Sequence, residues 1–316
     1  MYRYEFAKAR HGRNFKVNCP SCGGIKRFNL FFDKKENKLC DSQYGVCDRV
    51  NKCGYENRPK GQVILKEDEV KYVEKPMSVM PLDLVKKSLA TCYSNTDPLT
   101  DFLRKHWGNN YLAVLIAYNV VSVPFNGGFA PIFWFIDEFK KVRSGKIMNY
   151  HIVDGEPKRT KFDKTYKNIK WLHSRIDDFN FRMCSFGSHL LPLRPNDAVH
   201  IVESEKTALI MACVRPQHIW LATSSVTNLQ EHILPNLEGR DVVLHPDKGE
   251  RSFGYWKIKA KEFLNKNLVK SIKVSRFVEE SEFLEEGDDI ADYIIKAVKN
   301  ESSKEHQPRE NSFYQH

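Results

Sequence analysis

From residue 197 onward, short apolar runs of β type alternate with stretches of helical spacing. Ala198–Val202, His218–Ala222, Asp241–His245 and Ser271–Phe277 read as strands. Ser204–Val214, Leu229–Leu237, the stretch carrying Trp256, Ala260, Phe263 and Leu264, and a last stretch starting near Asp288-Asp289 read as helices. The last of these turns Ile290, Ile294, Ala297 and Val298 to a core. Ser204 is a candidate N-cap, and the charges of Asp288 and Asp289 suit a helix N-terminus. Strands separated by helices of this length predict a parallel sheet with right-handed crossovers.

The pattern differs upstream. Tyr111 to Ile136 carries no charge and is long enough to span a bilayer. Asn119, Ser122, Pro124, Asn126, Gly127-Gly128 and Pro131 interrupt it, so a helix followed by a hairpin turning at Asn126-Gly127-Gly128 fits better. Ala130–Ile136 and Ile147–Ile152 read as strands around a turn near Ser144-Gly145. Leu82–Leu89 is a short apolar-periodic stretch behind Pro76 and Pro81, and Arg27–Phe32 with Lys38–Cys40 reads as a ribbon hairpin. Five segments result: a Cys-rich basic unit (1–60), a connector (61–100), a basic α+β middle domain (101–196), an α/β domain with a Rossmann-like parallel sheet (197–299), and a polar, aperiodic tail (300–316) expected to be disordered.

Charge sharpens this picture. The net +10 is unevenly placed: residues 1–65 hold 14 Lys/Arg against 6 Asp/Glu, and residues 140–182 hold 12 against 5. Val278–Asp292 holds eight acidic residues and no basic one. Positive charge ahead of the α/β segment points to nucleic acid as partner. Met1–Glu5 lacks the apolar run of a signal peptide, which predicts a cytoplasmic protein without a membrane partner.

Five of the eight cysteines fall within the first 53 residues, with ligand spacing rather than disulfide spacing. Cys19-Pro20-Ser21-Cys22-Gly23-Gly24 lets two thiolates face one ion, and Cys47 with Cys53 provides a looser second half. Structural Zn²⁺ on Cys19, Cys22, Cys47 and Cys53 is the expected arrangement. Cys40 is left as a buried or spare thiol, and His11 as a weak further candidate.

Glu203 and Asp247 each end a β-type run, which puts them at the carboxyl ends of strands, where open parallel sheets bind ligands. Carboxylates gathered there suit Mg²⁺ or Mn²⁺ and phosphate chemistry. Lys206 is placed to reach a nucleotide phosphate, though a solvated first-turn position is its ordinary explanation, as it is for Glu205. In the middle segment Arg143, Lys146, Lys158, Arg159 and Lys161 alternate with Tyr150 and Phe162, a pattern that suits single-stranded nucleic acid. Trp134, Phe135, Trp171 and Trp256 are expected in the core, and His173 and His189 are expected to be structural.

Glu203 ahead of a helix, the small-residue loop Leu221–Asn228 and Asp247 after a later strand together resemble the Toprim domain of bacterial-type primases, topoisomerases and several nucleases. With the cysteine cluster, Arg143–Met148, Phe186–Leu191 and Glu203–Ala208, residues 15–295 resemble a zinc-ribbon-plus-Toprim, primase-like group often carried on bacterial mobile elements. The resemblance implies acid–base or metal chemistry for Glu203 and metal binding for Asp247. It departs at Gly249, where the Asp-x-Asp motif has its second aspartate; Glu250, Asp288 or Asp289 are the candidate replacements. The expected activity is nucleotidyl transfer from ribonucleotides on a single-stranded DNA template with Mg²⁺ or Mn²⁺, with a replicative helicase as a candidate partner. A Toprim nuclease and a non-catalytic, zinc-dependent replication accessory protein are the other two functions this pattern allows. A topoisomerase is disfavoured, for want of a catalytic tyrosine context and a strand-gate domain.

Overall fold

A computed structural model describes residues 3–7, 16–49, 52–60, 76–90, 95–159 and 168–304, without the side chains of Asn109 and residues 300–304. His11, Lys161 and Phe162, most of the connector between residues 61 and 75, and residues 305–316 lie outside the described residues. The chain divides into two compact units, Met1–Met77 and Ser78–His316.

In the first unit, β1 (Tyr4–Phe6), β2 (Lys16–Val17), β3 (Phe28–Asp33), β4 (Lys38–Leu39), β5 (Gly45–Cys47) and β6 (Glu56–Asn57) form an antiparallel ribbon. Its centre is β3, which pairs with β1, β2, β4 and β5; pairing with β4 makes the expected hairpin. Phe28 and Leu30 pack against Cys19 and Cys47, so the cysteines are themselves part of the small core.

The second unit begins with α1 (Leu82–Ala90) and α2 (Pro98–Tyr118), the latter capped by Asp97 and kinked at Gly108. Then come β7 (Val121–Phe125), β8 (Gly128–Ile136), β9 (Val142–Met148), β10 (Tyr150–Val153), β11 (Glu156–Arg159) and β12 (Ile169–Trp171). The β7–β8 hairpin turns at Asn126-Gly127, both with positive φ (50° and 78°), as a two-residue hairpin turn requires. The sheet β12-β9-β8-β7 is antiparallel and buried on both faces. Phe133 and Phe135 face one core, whereas Ile132, Trp134 and Ile136 face another shared with Val85 of α1. That double burial makes β8 almost continuously apolar.

Two sequence expectations fail in the second unit, the first of them here. The turn near Ser144-Gly145 is absent: both residues lie inside β9, and the reversal falls at Asp137–Lys141. Gly145 is there for packing, since a Cβ would come within 2.9 Å of Ile132 and Leu172 side-chain carbons.

The parallel sheet is built from β13 (Val199–Val202), α3 (Glu205–Val214), β14 (Ile219–Ala222), β15 (Leu237–Leu244), α4 (Glu250–Asn265), β16 (Val269–Val274), the short α5 (Phe277–Glu280) and α6 (Ile290–Lys304). Strand order is β14-β13-β15-β16 with every pair parallel, the expected Rossmann-like arrangement. The second failure lies between β14 and β15. The helix expected over Leu229–Leu237 is replaced by turns, and Leu237 already belongs to β15. Leu229 and Ile233 are buried at helical spacing, but Pro235 stops a helix and tertiary contacts cover the loop instead. Ile290, Ile294, Ala297 and Val298 are half-buried, whereas Ala291 and Ile295 form the buried line of α6.

Segments 101–196 and 197–299, which differ in pattern along the chain, share one core. It runs from Leu103 and Tyr118 of α2 through Phe133 and Phe186 to Ile201, Leu221 and Leu244 of the parallel sheet. Phe186 also bridges the β14 edge at Ala222, leaving Phe186–Leu191 as a cover for that edge. No helix among the described residues is long and apolar enough to cross a membrane.

Candidate functional site

In the ribbon, Cys19, Cys22, Cys47 and Cys53 bring their sulfurs to within 4.8 Å of one another. Cys19 and Cys53 Sγ are 3.8 Å apart, and Cys22 and Cys47 Sγ 4.0 Å. Ligands at the Zn–S distance in a tetrahedron lie ~3.8 Å apart, so the four thiols fit zinc. Without a metal the thiols share protons: the Tyr55 amide holds Cys53 down at about 7, while Cys47, despite the Arg49 amide, is pushed up to about 12 by burial and its three neighbouring thiols. Cys40 sits apart, fully buried, and burial pushes its thiol up to about 11.

The second unit carries a cleft of about 1720 Å³ at the carboxyl ends of β13 and β15. Glu203 directly follows β13, and Asp247 follows β15 in the loop leading to α4; both line the cleft. Ser204 caps α3 by accepting the Thr207 amide at 3.1 Å, which turns the chain sharply and leaves Glu203 at the rim. Burial pushes the Glu203 carboxyl up to about 7, helped by the Asp289 charge and opposed by the amides of Asp247 and Val226 and the Ser252 hydroxyl. Oε1 of Glu203 is buried without a hydrogen-bond partner. Burial likewise pushes Asp247 up to about 9, followed by the charges of Glu203, Asp289 and Asp292, with Lys206 opposing. Elevation of this kind marks buried carboxylates gathered with too little positive charge to offset them.

The other acids arrive from the loop before α6. Lys248, beside Asp247, stitches that loop in place: its amide donates to Asp288 O (2.8 Å), its ammonium to Ser281 O and Leu284 O (2.8 Å), and Gly287 N–H donates to Lys248 O (2.9 Å). Asp288 is turned toward Lys296 at 2.6 Å; burial raises its carboxyl, but Lys296 and the Glu285 amide outweigh that and hold it below the ordinary value. Asp289 is buried and caps α6, accepting the amides of Ala291 (2.7 Å) and Asp292 (3.0 Å), while Asp292 accepts the Asp289 amide at 2.9 Å. Glu250, by contrast, is exposed at the start of α4 and does not line the cleft. Gly249 has φ +141°, which residues with side chains rarely adopt, and its amide donates to Glu279 Oε2 at 3.0 Å. Backbone geometry thus disfavours an aspartate there. Asp289 and Asp292 bring carboxylates to the rim from elsewhere.

The cationic residues separate. Lys158 and Arg159 of β11 line the cleft and are exposed; Lys158 also pairs with Glu156 at 2.7 Å. Lys146 lines it too, but its ammonium is buried against Glu205, donating to both oxygens (3.0 and 2.9 Å), and lies over the Trp171 ring. Ser224, at φ +65°, also donates to Glu205. Arg143 is tied to Asp137 at 2.7 Å, closing the β8–β9 turn away from the cleft wall. Lys206 pairs with Asp292 at 3.2 Å. Sequence reasoning missed Asp292, Lys248 and the Lys146–Glu205 pair. An eight-acid run does call for internal cations, but their positions are not visible along the chain. Trp134, Phe135 and Trp256 are buried, Trp171 is half-buried, His173 bonds Ser144 at 2.8 Å and His189 donates to Ala117 O at 2.9 Å.

Unfolded, Glu203 and Asp247 would titrate near ~4; folded and without a cation, they hold their protons to about 7 and 9. The folded state therefore binds more protons over that window, and stability falls as pH rises through it. Thermal melts of zinc-loaded protein without magnesium are expected to show midpoints declining from about pH 5 to about pH 9. Asp247→Asn should flatten that decline; an unaltered slope would refute the electrostatic assignment.

Residues 97–248 match a family described as a domain of unknown function (DUF6371), and residues 2–68 match a zinc beta-ribbon finger family; each covers less than half of the chain. The ribbon match and the four-cysteine cluster together support structural zinc. No curated protein matches. Among solved structures, the chain is similar to the primase fragment of the bacteriophage T7 primase-helicase protein, at 13% identity and a TM-score of 0.38, over 92% of this chain and 98% of that one. It is also similar to the E. coli primase catalytic core (11%, TM-score 0.39, 71% of this chain and 78% of that one). The zinc-binding and RNA polymerase domains of Aquifex aeolicus primase are a third (10%, TM-score 0.39, 92% and 77%). At such low scores these likenesses carry no argument about activity.

Proposed function

We propose that this chain is a Toprim-type, primase-like nucleotidyltransferase that extends ribonucleotides on single-stranded DNA with Mg²⁺ or Mn²⁺, in the replication of a mobile element. The observation that carries this is the placement of Glu203 and Asp247 at neighbouring strand ends of a parallel sheet, facing a cleft whose β11 side presents Lys158 and Arg159. Oxygen ligands, an orphaned buried Oε1 and two carboxyls raised by burial fit a hard divalent cation. Glu203 and Asp247 would hold it, and when bound it would offset charge on phosphate oxygens. Lys158 and Arg159 are assigned to the phosphates of nucleotide or template, with Arg251 on the same cleft. Lys146 is assigned to the same wall, positioned by Glu205. The zinc ribbon is assigned to template binding, and a replicative helicase is the proposed partner.

Primer synthesis on single-stranded template, with ribonucleotides and Mg²⁺ or Mn²⁺, tests this directly. Glu203→Gln is expected to lower the rate on the order of a hundredfold or more, several kcal/mol of lost charge stabilisation. Shortened rather than extended products would make the protein a nuclease. Template binding with no turnover, indifferent to Glu203→Gln, would make it an accessory module, the function that Gly249 favours.

A further inference from the structure

Lys206 is a cation set among acids, and nucleotidyl transfer as described does not use it. Of the carboxylates lining the cleft, Glu205 and Asp288 are paired with Lys146 and Lys296, and the remaining four are not equivalent. Asp289 accepts the Ala291 and Asp292 amides on Oδ1 and the Thr207 hydroxyl on Oδ2. Asp292 accepts the Asp289 amide on Oδ2 and Lys206 Nζ on Oδ1. Both carboxylates are thus engaged at the start of α6, and Asp292 also holds Lys206, whose side chain is only 13% exposed and which feels the Asp289 charge as well. Glu203 and Asp247 differ: Glu203 is 9% exposed with Oε1 partnerless, and no described residue hydrogen-bonds the Asp247 carboxylate. The loop after Asp247 provides no further acid facing the cleft, because the next candidate position is Gly249, held at φ +141°.

Resting on the metal assignment above, we infer that the cleft binds a single divalent cation, on Glu203 and Asp247, and that the Lys206 ammonium stands in the place of a second, beside Asp292 and Asp289. The ammonium and one divalent ion together offset three of the four carboxylate charges. Any further ion must arrive on the nucleotide phosphates, as magnesium commonly does. A buried lysine is well suited to this: it neutralises permanently and cannot be removed by a chelator.

The test is a count of bound Mn²⁺ on the full-length, zinc-loaded protein, by electron paramagnetic resonance of free Mn²⁺, with zinc measured separately. One Mn²⁺ per chain is expected for the wild type and none for the Glu203→Gln, Asp247→Asn double variant. Lys206→Met is expected to bind two, with folding checked by circular dichroism. Lys206→Gln, which can still donate to Asp292, gives the same comparison if K206M does not fold. Two ions on the wild type would overturn the inference. One ion on both wild type and a folded Lys206 variant would overturn the role of Lys206 alone. No bound Mn²⁺ on the wild type would overturn the metal assignment itself, whatever the activity of the protein.

Discussion

Replacing Cys19 with serine is expected to abolish zinc retention and unfold the ribbon, while the Ser78–His316 unit melts unchanged. The magnitude follows from how little else holds the ribbon together. The buried cluster around the metal site consists of Cys19, Phe28, Leu30 and Cys47, so half of that cluster is made of residues that converge on the metal, with Phe31, Phe32 and Cys40 buried beside it in the ribbon. Zinc contributes on the order of 10 kcal/mol to modules of this kind, more than a core this small can supply. Limited proteolysis should cleave the variant between residues 16 and 60 and spare a fragment covering the parallel sheet. Cys40→Ser is the control: it alters a buried thiol outside the cluster, so zinc content should persist with only a modest loss of stability. Retention of zinc by Cys19→Ser, or its loss from Cys40→Ser, would reassign the ligands.

The second large effect is expected from Lys146→Met. The Lys146 and Glu205 side chains are 7% and 2% exposed, with the ammonium 2.9–3.0 Å from both carboxylate oxygens. Removing the cation leaves a buried, uncompensated carboxylate, which costs roughly 3–5 kcal/mol. For a unit of this size, at about 2 °C per kcal/mol, that corresponds to about 6–10 °C in melting temperature. Adding Glu205→Leu should recover most of the loss, because a buried ion pair replaced by apolar groups is often neutral. The pair joins β9 of the antiparallel sheet to α3 of the parallel sheet, so this cycle also measures how firmly the two halves of the shared core are coupled. A drop below ~1 kcal/mol in the single variant would show that Glu205 finds another partner or takes up a proton.

Several features were legible in the sequence because their signals are local. Cysteine spacing singled out the four thiols that converge, and Asn126-Gly127 marked the hairpin. Ser204 ahead of an apolar helix located the turn after β13, and the apolar run ending in Glu203 placed that acid at the strand end. Other signals were local too and misled. Gly145 looked like a turn residue, and Leu229–Leu237 has helical apolar spacing. A glycine needed for close packing and a loop buried by its neighbours produce the same patterns. Charge was the least legible property. Arg143, Lys146 and Lys206 read as ligand contacts along the chain; in the structure each also pairs with an acid, Asp137, Glu205 and Asp292 respectively, and the sequence carries no sign of these pairs.

The chain's own order therefore determined which segments become strands and helices, which thiols gather and which two acids end their strands, since hydrophobic period, caps and ligand spacing act over a few residues. Tertiary structure decided which of the candidate acids, Asp289, approaches them, and it alone decided that Asp292 joins, that Lys248 clamps their loop and that the buried lysines are paired. Each of these depends on groups tens of residues apart being brought within a few ångströms, where burial strengthens electrostatic interactions that would be weak in the unfolded chain.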